Sequence, residues 1–177
     1  MLINYEKKYF RCLWILTSFF LMIFSFSSCQ TGGGALLPVT VSIAVGEMDA
    51  AVNGVSFKAI NGTTIKSGSS VVLKASLLKK NSNRDSVSIS MIIPTQGTLP
   101  YSIDVSTDPS SLIKYCMISY LSGNCINYQT KKGIGSGTIY ITSLSPNIEG
   151  TFSGTLPQAG GTGSVTITGG AFKVLLP

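Results

Sequence analysis

The stretch Ser86-Val87-Ser88-Ile89-Ser90-Met91-Ile92-Ile93 (residues 86–93) decides the fold class of this chain. Its odd-numbered positions are all apolar, whereas serine occupies the first three even-numbered positions. Successive side chains of a strand point to opposite faces of a sheet, so this alternation is typical of a half-buried β-strand. Residues 71–77 alternate in the same way, and the polar residues 79–85 between the two stretches predict a hairpin loop.

Alternation recurs at residues 138–142 and 151–156, and again in a last strand that is interrupted at Gly169-Gly170, where we expect a bulge. Asn53-Gly54 lies between two apolar stretches and predicts a type I′ hairpin. Further strands are expected near 38–45, 100–106, 112–120 and 125–130. No helical period persists over ten residues. The pattern therefore predicts an all-β chain, with about ten short strands in a single antiparallel β-sandwich or barrel-like domain.

The composition excludes several classes of chemistry. The 177 residues contain no histidine, which rules out Ser-His-Asp and Cys-His hydrolysis and any metal held by histidine. Apolar residues make up 44% of the chain, enough to fill the core of one domain. No cofactor is expected.

The first 28 residues have the three-part architecture of a secretory signal. A basic start, residues 1–11, is followed by the 15-residue apolar run CLWILTSFFLMIFSF (12–26) and by small residues before Cys29. As a helix, 15 residues would reach only about 22 Å, short of the roughly 30 Å hydrocarbon core of a bilayer. Cleavage is therefore favoured, and an uncleaved membrane anchor is the alternative.

The four residues Phe26-Ser27-Ser28-Cys29 resemble the lipobox of bacterial lipoproteins. The resemblance implies a diacylglycerol on the Cys29 thiol, cleavage before Cys29, and an acyl chain such as palmitate on the new amine. It divides the chain into a signal peptide (1–28), a lipidated flexible tether (29–37) and a β domain (38–177). Gln30 lacks the acidity of an inner-membrane retention signal, so the resemblance implies the outer membrane and leaves its face open. An ordinary peptidase site is the alternative.

Four segments of the chain are similar to small Bacteroidota-type lipoproteins of uncharacterised function. The resemblance spans about 47–174 and implies an all-β fold with no known reaction. Its segments are 48–57 (MDAAVNGVSF), 138–142 (TIYIT), 150–156 (GTFSGTL) and 166–172 (TITGGAF).

Cys116 and Cys125 are the only other cysteines of the processed chain. Their spacing fits two strands joined by a turn, and an exported protein enters an oxidising compartment, so a disulfide is predicted. Two unpaired buried thiols are the alternative. A redox pair is not expected, because the spacing is not Cys-x-x-Cys.

Catalytic motifs are weak. Ser111 and Lys114 match the Ser-x-x-Lys of penicillin-recognising enzymes, but on a strand residues three apart point to opposite faces. The processed chain has six carboxylates, and a glycosidase needs two facing each other; Asp104 and Glu149 are taken as the example pair. We expect no enzyme, and a glycan hydrolase is the least favoured alternative.

The processed chain carries ten basic and six acidic residues, a net charge near +4. The basic residues are dispersed, and no nucleic acid partner is expected. Tyr140, on the polar side of its strand, could stack on a sugar or a partner. The sequence therefore favours a lipid-anchored binding or structural module with an envelope protein or glycan partner. A fimbrial subunit that assembles by strand addition is the alternative, motivated by a lipidated β domain whose terminal strand, Phe172 to Leu176, is mostly apolar.

Overall fold

A computed structural model describes residues 42–78, 86–95, 97–118 and 122–176. The predicted signal peptide, Cys29 and the tether lie outside these residues, as does the hairpin loop expected at 79–85. No described helix is long and apolar enough to cross a membrane. The described residues form eleven strands: β1 (Glu47–Val52), β2 (Val55–Ala59), β3 (Thr63–Ser67), β4 (Ser70–Leu78), β5 (Ser86–Pro94), β6 (Tyr101–Asp104), β7 (Leu112–Ile118), β8 (Cys125–Thr130), β9 (Ser136–Leu144), β10 (Asn147–Pro157) and β11 (Ser164–Leu175).

The strands form two antiparallel sheets. The order is β2-β1-β11-β10-β9-β6 in the six-stranded sheet and β3-β4-β5-β7-β8 in the five-stranded sheet. The two sheets are not closed into a barrel. The all-β prediction is confirmed, and of its two alternatives the sandwich is correct.

One hydrophobic core lies between the sheets and takes residues from both. In β5 the odd-numbered residues predicted to share a face, Val87 to Ile93, are all buried, while the even-numbered ones are half-buried. Burial of both inner faces is the main favourable term in the folding of such a sandwich. The largest fully buried side chains are Met48, Leu73, Ile89, Met91, Ile93, Ile113, Ile139, Ile141, Ile148, Leu156, Ile167 and Phe172.

Asn53 and Gly54 connect β1 to β2, as the sequence predicts. Both have positive φ, 48° and 77°, as a type I′ turn requires. Asn53 tolerates this backbone because its short polar side chain finds a partner: Oδ1 accepts a hydrogen bond from the Thr166 amide at 2.8 Å. The turn is thereby tied to β11.

The bulge expected at Gly169-Gly170 is confirmed. The pairing of β11 with β1 and with β10 shifts register at this point, because β11 carries an extra residue there. Gly169 has φ 58°, a left-handed conformation that glycine adopts without the cost of a Cβ.

Two parts of the fold differ from the sequence prediction. Residues 42–45, the described part of the strand expected at 38–45, form no strand, and β1 begins only at Glu47. Conversely, β3 carries no buried residue, so it lacks the alternation by which strands were recognised. Its one large apolar side chain, Ile65, is 66% exposed.

Candidate functional site

Four apolar side chains form a continuous row across the outer face of the five-stranded sheet. Ile65 lies opposite Val72, Val72 opposite Ile92, and Ile92 opposite Leu112. These four residues are here called the apolar row. Because neighbouring strands lie about 4.8 Å apart, the row crosses β3, β4, β5 and β7 over roughly 14 Å.

The apolar row lies on the solvent side of strands whose other faces fill the core. Val71, Ile93 and Ile113, each adjacent in sequence to a row residue, are fully buried. Val72, Ile92 and Leu112 therefore point away from the core and are half-buried among neighbouring strand residues. Sequence reasoning missed the row. The available signal was three apolar doublets that break the alternation: Val71-Val72, Ile92-Ile93 and Leu112-Ile113.

A second row, two residues along the strands from the apolar row, carries positive charge. Lys74 lies opposite Ser90, and Ser90 lies opposite Lys114. Thr63 and Gln129 extend this lysine row to the two edge strands. Among the described residues of this face there is no carboxylate, so the surface combines apolar and cationic groups.

The predicted disulfide is confirmed and lies on this same face. Cys116 and Cys125 are bridged across β7 and β8, with 5.7 Å between their Cα atoms. Cys116 pairs with Asn127 and Cys125 with Ile118, so the bridge joins diagonal neighbours of adjacent strands. It fixes β8, the edge strand, to its neighbour β7. The alternative of two unpaired thiols is wrong.

The outer face of the six-stranded sheet has a different character, because both of its strand lysines are paired with carboxylates. Lys173 Nζ lies 3.0 Å from Glu149 Oε1, and Lys58 Nζ lies 3.7 Å from Asp49 Oδ2. The other oxygen of Asp49, Oδ1, is buried and has no hydrogen-bond partner in the described structure. Most of the remaining outward side chains of this sheet are serines and threonines.

Tyr140 lies on that outer face, as its polar strand position predicts. Its neighbours in sequence, Ile139 and Ile141, are fully buried, whereas Tyr140 is partly exposed. Ser102 and Thr151 lie opposite it on the two adjacent strands. An aromatic ring among hydroxyls is compatible with sugar stacking, but none of the other described residues of the face adds a second ring.

The carboxylates Asp104 and Glu149 are not brought together. Asp104 lies opposite Thr138 and Glu149 opposite Ser143, on the two sides of β9. Five residues along a strand correspond to about 17 Å, beyond the spacing of paired glycosidase carboxylates. Asp104 instead accepts hydrogen bonds from the Ser106 hydroxyl at 2.6 Å and amide at 2.9 Å, and these hold the pKa of its carboxyl below the usual value.

Ser111 and Lys114 also lie apart. Ser111 is 3% exposed and precedes β7, with its hydroxyl near the carbonyl of Asp108. Lys114 belongs to the lysine row on the outer face. The lysine amine is therefore not placed to take the serine proton, and the Ser-x-x-Lys match does not form a catalytic pair.

The terminal strand β11 is an interior strand of its sheet. It pairs with β1 on one side and with β10 on the other, so both of its hydrogen-bonding edges are used within this chain. Phe172 and Val174, from the apolar segment 172–176, are buried in the chain's own core. This observation removes the motivation for strand addition by that segment.

In the part of the chain that the structure describes, no three His, Cys, Asp or Glu side chains are grouped so that they could hold a metal ion. The fold and surfaces define an antiparallel β-sandwich with one apolar and cationic face. No protein-family model matches the chain, and no curated protein or solved structure matches it either.

Proposed function

We propose that this protein is a lipoprotein of the bacterial outer membrane, held by lipid on Cys29, whose β-sandwich is a non-enzymatic binding or structural module. The observation that carries the proposal is the apolar row on an open sheet face. An apolar row four strands wide on the solvent side of a sheet favours contact with another surface.

The shape of this surface supports binding rather than catalysis. The apolar row and the lysine row lie side by side on one face of a sheet, where a large partner can contact several strands at once. The serine, lysine and carboxylate groups considered above as catalytic candidates lie apart from one another, on separate turns and strands. A partner of extended surface, such as an envelope protein, a glycan or the membrane, fits this arrangement.

The anchor is supported by the sequence before the sandwich. Residues 1–28 have the order of a signal peptide, and Cys29 follows them in a lipobox-like context. Three acyl chains, each methylene contributing about 0.8 kcal/mol, would hold the protein on a bilayer durably.

The anchor is tested by the intact mass of protein extracted from the membrane fraction. We expect the mass of residues 29–177 plus acyl chains. Cys29→Ser should lose the acyl mass and leave the membrane fraction, whereas the matched control Cys12→Ser, which lies in the apolar run, should keep both. A full-length mass without lipid would contradict the proposal.

The module is tested separately by chemical cross-linking in intact cells. Ile65→Asp should abolish cross-links formed by the native protein, because it places a charge in the apolar row. Val55→Asp is the matched control, since Val55 is also 66% exposed on an edge strand but belongs to the other sheet. Identical cross-links in both variants would show that the row is not a contact surface.

A further inference from the structure

We propose that the outer face of the five-stranded sheet docks onto an anionic lipid surface. In this arrangement the apolar row enters the boundary between head groups and acyl chains, and Lys74 and Lys114 bind lipid phosphates. The inference rests on the proposed function, because it names the membrane that holds the lipid anchor as the partner of the module.

The distribution of charge favours a lipid partner. Lys74 and Lys114 have no carboxylate beside them on their face, within the residues that the structure describes. On the opposite sheet Lys58 and Lys173 are both paired with carboxylates. Attraction to a negative surface therefore acts on the five-stranded sheet more strongly than on the six-stranded sheet.

The two rows have the geometry that an interfacial contact needs. The lysine row is two residues from the apolar row on β4, from Val72 to Lys74, and likewise on β7, from Leu112 to Lys114. Two residues of a strand span about 7 Å, and the flexible stem of lysine can extend its ammonium toward phosphate while apolar neighbours enter the bilayer. Amphipathic surfaces that bind membranes combine these same two kinds of side chain.

The size of the apolar row favours lipid over a second copy of the chain. Four side chains are far fewer than the roughly 20–30 residues a side of a stable protein interface. A lipid surface requires no matching partner patch, and the anchor raises its effective concentration. Cys29 lies 18 residues before Glu47, the first residue of β1, which keeps the sandwich within reach of the bilayer that holds the anchor.

The test measures how fast individual lysines react with a water-soluble acetylating reagent, read by peptide mass spectrometry. The protein extracted from membranes is reconstituted into vesicles of phosphatidylcholine alone, and into vesicles of phosphatidylcholine and phosphatidylglycerol in equal parts. We expect Lys74 and Lys114 to react several-fold more slowly in the anionic vesicles. Lys58 and Lys173, on the other sheet, should keep their rates, and high salt should restore the rates of the first pair.

Variants separate docking from general effects of lipid composition. Ile65→Asp should abolish the slowing at Lys74 and Lys114, whereas Val55→Asp should preserve it. Both substitutions lie at equally exposed edge positions, so both proteins should fold, and circular dichroism checks this. The proposal would be overturned if Lys74 and Lys114 each reacted as fast in the anionic vesicles as in the phosphatidylcholine vesicles. Acetylation of Lys74 and Lys114 that is also slow in detergent, and that becomes slower as the protein concentration rises, would overturn the proposal as well. It would show that a second copy of the chain covers this face.

Flotation separates this proposal from that of the anchor. If the protein floats with both kinds of vesicle but Lys74 and Lys114 react at the same rate in both, the anchor proposal stands and the docking proposal fails. If the protein floats only with the anionic vesicles, the docking proposal stands and the anchor proposal fails. Flotation with neither kind overturns both.

Discussion

The hydroxyl of Tyr101 donates a hydrogen bond of 2.6 Å to the carbonyl oxygen of Pro94. Tyr101 is the first residue of β6, at the edge of the six-stranded sheet, and Pro94 is the last residue of β5 in the five-stranded sheet. The chain crosses from one sheet to the other between these residues. Their hydrogen bond therefore joins the two layers of the sandwich where the chain changes sheet.

Tyr101→Phe should lower the free energy of unfolding by about 1 kcal/mol, the usual net contribution of one hydrogen bond. The ring stays packed against the core in the variant. The measured loss of stability therefore reports the missing hydroxyl and the Pro94 carbonyl oxygen that no longer has a donor. Urea denaturation measures the change. Tyr140→Phe is the control, because the structure gives its hydroxyl no such bond across the sheets, and it should change stability by only a few tenths of that amount. Equal effects of the two substitutions would contradict this assignment.

Stability should fall in strong alkali through two tyrosines. Burial raises the pKa of the Tyr101 hydroxyl, and burial, reinforced by Tyr128, raises that of Tyr115. A raised folded-state pKa means that the neutral phenol is preferred in the fold. The contribution is therefore complete below the ordinary tyrosine pKa of about 10 and is lost as pH rises through the folded value.

Denaturation across this alkaline range, with the native protein and Tyr115→Phe compared at each pH, measures the effect. The native protein should lose more stability between neutral and alkaline pH than the variant does. Tyrosinate absorbance should show a late-titrating fraction that shrinks in the variant. Parallel pH curves for the two proteins would mean that Tyr115 ionises equally in the folded and unfolded chains.

Reduction of the Cys116–Cys125 bridge should lower the free energy of unfolding by about 2–3 kcal/mol, on the model in which a disulfide restricts the unfolded chain. The loop that it closes is short, since only nine positions separate the two cysteines. Denaturation with and without a reductant measures the loss. The variant with both cysteines replaced by alanine should be insensitive to reductant, and a native protein equally insensitive would contradict the prediction.

The parts of the fold that could be predicted are those with a local cause. In β5 burial on one face alone imposes alternation, and the turn at Asn53-Gly54 requires two residues that accept positive φ. β3 could not be predicted in this way, because none of its side chains is buried. Its strand conformation comes from backbone pairing with β4, and the amino-acid composition of β3 does not indicate that pairing.

The candidate site divides along the same line. The disulfide could be predicted because nine positions suit a strand, a turn and a strand. The apolar row could not, because it depends on the order of strands in the sheet. The next strand along the chain after β5, β6, belongs to the other sheet. β5 therefore pairs with β7, which places Ile92 beside Leu112. Alternation within a strand indicates which face a residue lies on, but it does not indicate which strand lies beside it.

Two glycines of the six-stranded sheet should respond in opposite ways to larger side chains, because one lacks space and the other needs an unusual backbone. A Cβ on Gly150 would overlap the Tyr140 carbonyl oxygen and lie 2.9 Å from Phe172 Cζ, so Gly150→Ala should cost about 1–3 kcal/mol. Gly169 has open space but φ 58°, and Gly169→Ala should cost about 1–2 kcal/mol. Asparagine tolerates this conformation, so Gly169→Asn should recover part of the loss, whereas Gly150→Asn should be worse than Gly150→Ala. Thermal unfolding ranks the four variants, and a Gly169→Asn protein less stable than Gly169→Ala would show that space, and not backbone conformation, requires glycine at the bulge.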